Sequence, residues 1–236
     1  MSNPIAYDAY EELADSYAAK VETKPHNAHY DKPAVLSLLP DVEGKDLLDA
    51  GCGSGAYSKI MLQRGAKVTG IDMSPSMLKH AKGSIGDKAK FYEADLSKPL
   101  DFLGDESFDV IISPLVLAYI EDLYAVFREL NRVLRHGGTF VFSIPHPFFD
   151  YQYFKGSKYF EIEKVFCEWG GFGKKVNMPG YRYPLGYVIN SLIHSGFSLD
   201  YLLEPKPDAM FKEIDPEHYE ELMEFPAFIC IRAIKK

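Results

Sequence analysis

Asp46-Leu47-Leu48-Asp49-Ala50-Gly51-Cys52-Gly53-Ser54-Gly55-Ala56-Tyr57 is the stretch on which the reading of the whole chain turns. Leu47 and Leu48 suit a buried strand, the three glycines suit a tight loop, and the residues from there to Arg64 suit a helix that stops at Gly65. Glycine at such a turn adopts backbone angles closed to other residues and lets a ligand come close to the main chain. In an α/β sheet, a glycine loop after the first strand is a nucleotide-type site, and an acid ending the second strand takes the ribose hydroxyls. Lys67-Val68-Thr69-Gly70-Ile71-Asp72 supplies that strand and that acid.

Glycine spacing separates two ligand classes. Dinucleotide sites favour G-x-G-x-x-G, with the pyrophosphate at the helix N-terminus. Here the pattern is G-x-G-x-G, with Asp49 two residues before the first glycine. Three further segments follow in order: Met73-Ser74-Pro75-Ser76-Met77-Leu78, the strand Ala89 to Asp95 followed by Leu96, and the apolar run from Glu106 to Leu117. In these motifs the chain resembles the class I S-adenosylmethionine-dependent methyltransferases, closely from Leu47 to Ile144 and loosely in the flanks.

That resemblance implies a doubly wound α/β fold with a seven-stranded, mostly parallel, Rossmann-like sheet and an antiparallel last strand. It implies S-adenosylmethionine as cofactor and S-adenosylhomocysteine as product. Asp49, Gly51, Cys52, Gly53 and Gly55 would then surround the methionine part, with Tyr30 nearby. Asp72 would hold the ribose, Asp95 the adenine amino group, and Met73, Met77, Ala94 and Leu96 the adenine ring. Ser113 and Leu115 would stand at the functional end of the fourth strand.

The remaining punctuation is local. Ser74 reads as an N-cap with Pro75 at the first helical position. Asp122 to Leu134 has helical spacing ended by Gly137-Gly138, and Thr139 to Ile144 reads as a fifth strand. Leu185 to Ile193 is expected to be a helix, Phe197 to Leu203 a sixth strand, Asp215 to Met223 an acidic surface helix and Ala227 to Ile234 the final strand.

The 236 residues, 47% hydrophobic, suit one sizeable domain, 1–236. A formal charge of −8 argues against a nucleic-acid surface, which needs Lys and Arg against phosphates. Cys52, Cys167 and Cys230 are odd in number and widely spaced, so neither a disulfide framework nor a metal site is expected. With no signal-peptide pattern and no run of ~18 apolar residues to span a membrane, the expected location is the cytoplasm. Oligomeric state has no signature here.

Two flanks are assigned to the acceptor. Residues 1–33 form an N-terminal lid segment whose helix carries Tyr7, Tyr10 and Tyr17 as candidate substrate contacts. Residues 145–184 form an insertion dense in aromatics, read as a loop-rich lid or short hairpin. Phe148, Trp169 and Arg182 are its candidate substrate residues. Lys155, Lys158, Lys164, Lys174, Lys175 and Arg182 make it locally basic, which would suit an anionic or planar small-molecule acceptor. His146, directly after the fifth strand, is the first candidate for a base, with Tyr30 and Tyr119 behind it. The expected reaction is direct in-line methyl transfer. The rivals are a nicotinamide-dependent oxidoreductase and a cofactor-binding sensor without transfer activity.

Overall fold

Strand β1, Asp46–Ala50, lies at the centre of a seven-stranded sheet in the computed structural model, which describes residues 3–156 and 158–236. Leu47, Leu48 and Ala50 are fully buried, as a strand covered on both faces requires. Ahead of it come helix α1 (Tyr7–Lys20) and helix α2 (Lys32–Ser37). The polar stretch between them makes one π-helical turn, Asn27–Asp31, that runs straight into α2.

After β1 the chain alternates helix α3 (Ala56–Gln63), strand β2 (Lys67–Asp72), helix α4 (Pro75–Ile85) and strand β3 (Lys90–Glu93). It then crosses to strand β4 (Phe108–Pro114), helix α5 (Leu123–Val133) and strand β5 (Leu134–Pro145). All five strands are parallel, with β2 and β4 flanking β1. The winding therefore reverses beside β1, and the crevice at the carboxyl ends of β1 and β4 is where open α/β sheets collect ligands.

Two expectations about β5 need correction. It begins at Leu134, not Thr139, because Leu134 is buried and pairs with Phe108. Gly137 and Gly138 lie inside the strand, where the β4 pairing shifts register, so they do not end α5.

The insertion is ordered into helix α6 (Pro147–Tyr153) and a hairpin of strands β6 (Glu163–Trp169) and β7 (Val176–Arg182), which form a separate two-stranded sheet. Helix α7 (Leu185–His194) and strand β8 (Phe197–Leu203) follow. Helix α8 (Ala209–Ile214), which the sequence reading does not anticipate, precedes α9 (Pro216–Glu224) and strand β9 (Phe228–Lys235). Strand β9 is inserted between β5 and β8 and runs antiparallel to both. One face of the sheet packs an aromatic core of Phe127, Phe140, Phe142 and Phe197, and the other packs Val35, Met61, Val110 and Val141. No helix of the described residues is long and apolar enough to cross a membrane.

Candidate active site

The carboxyl ends of β1, β2 and β4 open on a cavity of about 1170 Å³. Single drug-sized ligands occupy roughly 300–1,000 Å³, so the space accommodates a large ligand with room beside it. α1 supplies Tyr10 and Tyr17, the insertion supplies Trp169 and Phe172, and α9 supplies His218.

The glycine loop is a main-chain surface fixed from below. The N–H groups of Gly51 and Cys52 donate to Ile71 O at 2.7 and 2.9 Å. Gly51 has φ +83°, and a Cβ there would stand 2.3 Å from Val116 Cγ2, so only glycine fits. The Gly53 N–H donates to Asp72 Oδ2 at 2.8 Å and the Ser74 N–H to Asp72 Oδ1 at 2.9 Å. These bonds aim the carboxylate at the end of β2 into the cavity. Burial raises the Asp72 pKa, and the two N–H groups oppose that rise.

Asp49 is buried, accepts from Ser58 Oγ at 2.6 Å, and is pushed by burial up to about 7. Asp31, from the π-helical turn, is likewise buried, accepts from Tyr57 OH at 2.7 Å, and is pushed by burial up to about 6. One oxygen of each has no partner among the described residues, and both side chains line the cavity. A buried acceptor left open beside a cavity is a place for a ligand's donor. Here hydroxyl or ammonium groups would complete it.

Met73, Met77, Ala94, Asp95, Leu96 and Leu115 line the same cavity, as do Asp49, Gly51, Cys52, Gly53 and Asp72. Asp95 accepts the Ser97 N–H at 2.8 Å, which shapes the loop after β3. Tyr17, Tyr119 and Trp169 also line it. Three of the expected cofactor residues, Gly55, Ser113 and Tyr30, do not. Gly55 begins α3 with φ +86°, and a Cβ there would press on Ile85 and Ala81 of α4 at 3.0–3.3 Å. Ser113 is fully buried and donates to Ala50 O at 2.9 Å, tying β4 to β1.

Four residues expected to contact the acceptor or take part in the chemistry, His146, Tyr30, Arg182 and Phe148, also lie outside the cavity wall. His146 accepts the Phe148 N–H at its Nδ1 (3.2 Å) as the N-cap of α6, and its Nε2 faces Glu204 at 3.0 Å. Both ring nitrogens are thereby occupied, and the residue is not part of the cavity wall. Tyr30 is buried against Phe228 and Phe211 with its hydroxyl accepting the Ala227 N–H at 2.9 Å, and burial pushes its pKa up to about 12. Arg182 is fully buried and donates to Glu163 (2.6 Å) and to the carbonyls of Lys158, Tyr159 and Glu161. Phe148 is half exposed, and its neighbour Phe149 faces the cavity instead. Tyr119 remains in the wall, with its hydroxyl accepting from Tyr10 OH at 2.8 Å. Burial raises its pKa, so it holds its proton at neutral pH.

None of the basic residues of the insertion lines the cavity. Lys158, Lys174 and Lys175 pair with Glu161, Glu12 and Glu168 at 2.7–2.9 Å. Sequence reasoning missed Asp31, Lys24, Asp150 and the His218–Asp215 pair (2.9 Å), all in the wall. Only the placement of Asp31 beside Tyr30, just before a proline-started helix, hinted at any of them.

Comparison with known proteins gives a consistent set of likenesses. A methyltransferase-domain family matches residues 48–142. An uncharacterized protein of Haemophilus influenzae is 30% identical over 89% of this chain and 88% of its own length. A malonyl-[acyl-carrier protein] O-methyltransferase of Serratia marcescens is 39% identical over 46% of this chain. That match spans only 42% of the Serratia protein. Among solved structures, an S-adenosylmethionine dependent methyltransferase from Mesorhizobium loti superposes with a TM-score of 0.72 at 27% identity, covering 91% of this chain and 100% of that one.

Proposed function

Since the chain belongs to the S-adenosylmethionine-dependent methyltransferases, we propose that it moves the donor's methyl group by direct in-line transfer to a small-molecule acceptor held in the same cavity. When bound, the donor supplies a methyl group already activated by a sulfonium charge. What remains for the protein is to bind, align and exclude water, and such positioning can contribute up to ~7–11 kcal/mol.

The residues present suit that donor. Asp72, aimed by the Gly53 and Ser74 N–H groups, is the acceptor for ribose hydroxyls, and this single geometry carries the reading. The open carboxylate oxygens of Asp49 and Asp31 suit a cationic amino-acid end. Asp95 with Met73, Met77, Ala94 and Leu96 provides an apolar slot with one acceptor at its edge, which suits adenine.

On the acceptor side, residues 1–33 and 145–184 act as covers. Glu11 of α1 accepts from Ser76 Oγ (2.7 Å) and Ser76 N (3.1 Å) at the start of α4, which pins the first cover over the donor site. Arg182 holds the second cover's hairpin in shape rather than touching the acceptor. Titration calorimetry tests the reading. Saturable binding of S-adenosylhomocysteine with none of NAD is expected, and the reverse outcome would sink it.

A further inference from the structure

Part of the cavity wall, contributed by α1, the Leu117–Tyr119 turn after β4 and the β6–β7 hairpin, is aromatic. Tyr10, Tyr17, Tyr119, Trp169 and Phe172 stand there in a chain of ring contacts with centroids 4.7–6.3 Å apart. Aromatic faces carry a negative quadrupole, so such a wall favours positive charge. The molecule itself demonstrates the preference. The Lys24 ammonium sits 4.2 Å from the Phe172 centroid and 5.7 Å from that of Trp169.

Asp150, in the first turn of α6, lines the same cavity. Among the described residues its carboxylate makes no hydrogen bond or ion pair. Arg182, the cation that favours its charged form, is spent on Glu163. Burial therefore holds the Asp150 carboxyl up at about 7. The Asp150 side chain is part-buried in that wall, and a carboxylate partly withdrawn from water without a partner is stabilised when a cation arrives.

We propose that the acceptor is a small amine, taken up as its ammonium ion by the Asp150 carboxylate and the aromatic wall. This rests on the methyl-transfer reading above. The ammonium gives one proton to the Asp150 carboxylate, and the freed nitrogen lone pair forms the new N–C bond. The S–C bond breaks with its electron pair passing to sulfur, leaving a neutral thioether and a methylated ammonium ion. Asp150 then releases its proton to solvent.

Trp169 is the single tryptophan of the chain and lines the cavity, so its fluorescence reports on occupancy. Protein saturated with S-adenosylhomocysteine is titrated with phenethylamine, 2-phenylethanol and phenylacetate, which share a ring and differ in charge. Phenethylamine is expected to bind at least tenfold more tightly than either of the others. Asp150→Asn is expected to remove that preference while leaving S-adenosylhomocysteine affinity, read by calorimetry, within twofold. A preference for phenylacetate that Lys24→Ala abolishes would assign the site to anions and overturn the proposal. Equal binding of all three, binding of none, or a preference unchanged in Asp150→Asn would overturn it as well. Failure of S-adenosylhomocysteine to bind the wild-type protein would instead sink the reading beneath it.

Discussion

Asp72 joins the loop to the ligand site, because the oxygens that would meet a sugar are held by the N–H groups of Gly53 and Ser74. Asp72→Ala is expected to weaken S-adenosylhomocysteine binding at least tenfold, about 1.4 kcal/mol, with the circular dichroism spectrum unchanged. Unchanged affinity by calorimetry would remove Asp72 from that role. Asp49 sets a pH response. Its folded pKa of about 7 lies above the ordinary carboxylate value, so between the two the folded chain keeps a proton that the unfolded chain has released. Stability is therefore greatest at the acidic end of that window and falls as pH rises through about 7, and Asp31 and Asp150 act in the same sense. The Tm is expected to fall from about pH 5.5 to about pH 8, and to fall less in Asp49→Asn. An equal slope in the variant would show that the burial of Asp49 is not responsible. At this scale the sequence is legible where the shape of the cavity wall rides on local backbone, as at Gly51, Gly53 and Asp72, which all line it. It was misleading where a side chain's direction is set from far along the chain. Glu204, 58 residues on, turns His146 away, and Ala227, 197 residues on, claims the Tyr30 hydroxyl.

Among elements, α6 and the β6–β7 hairpin show how aromatic and basic residues were sorted by packing. His146→Ala is expected to lower stability by about 1 kcal/mol, the usual worth of an N-cap, and to leave S-adenosylhomocysteine affinity within twofold. A large loss of affinity in that variant would return His146 to the site. Arg182→Ala strips three carbonyls and Glu163 of their donor in a fully buried position. Loss of charge-assisted hydrogen bonds of this kind costs about 2–3 kcal/mol, and here it would loosen the hairpin. Faster proteolysis within 158–182, with a Tm lowered by several degrees, is the expected reading. A hairpin as resistant as wild type would contradict the structural role. The sequence offers the hairpin only as one of two options, because β6, outside the main sheet, has no fully buried face and alternates only between half-buried and exposed positions. α8 gave no signal beyond its Asp208 cap, which accepts the Phe211 N–H. The start of β5 was misjudged because the two glycines resemble a helix stop, whereas the buried pairing of Leu134 with Phe108 decides the matter.

For the molecule as a whole, the parallel half of the sheet is readable because each strand ends in a recognisable turn and every crossover except that from β3 to β4 carries its own helix. What sequence order could not announce is that the strand nearest the carboxyl end of this chain fills the gap between β5 and β8. β9 pairs with β5 from Thr139 to Pro145 and with β8 from Phe197 to Leu203, and Ile229, Cys230 and Ile231 are fully buried. A chain stopped after Pro226 would leave two long edges with unpaired N–H and C=O groups. It is expected to aggregate on expression, and recovery of a soluble monomer that binds S-adenosylhomocysteine would refute this. The same insertion governs how the protein is born. During synthesis the strands around the cavity emerge before residues 228–235 can close the seam between β5 and β8, and open strand edges of this kind favour association with other chains in that interval.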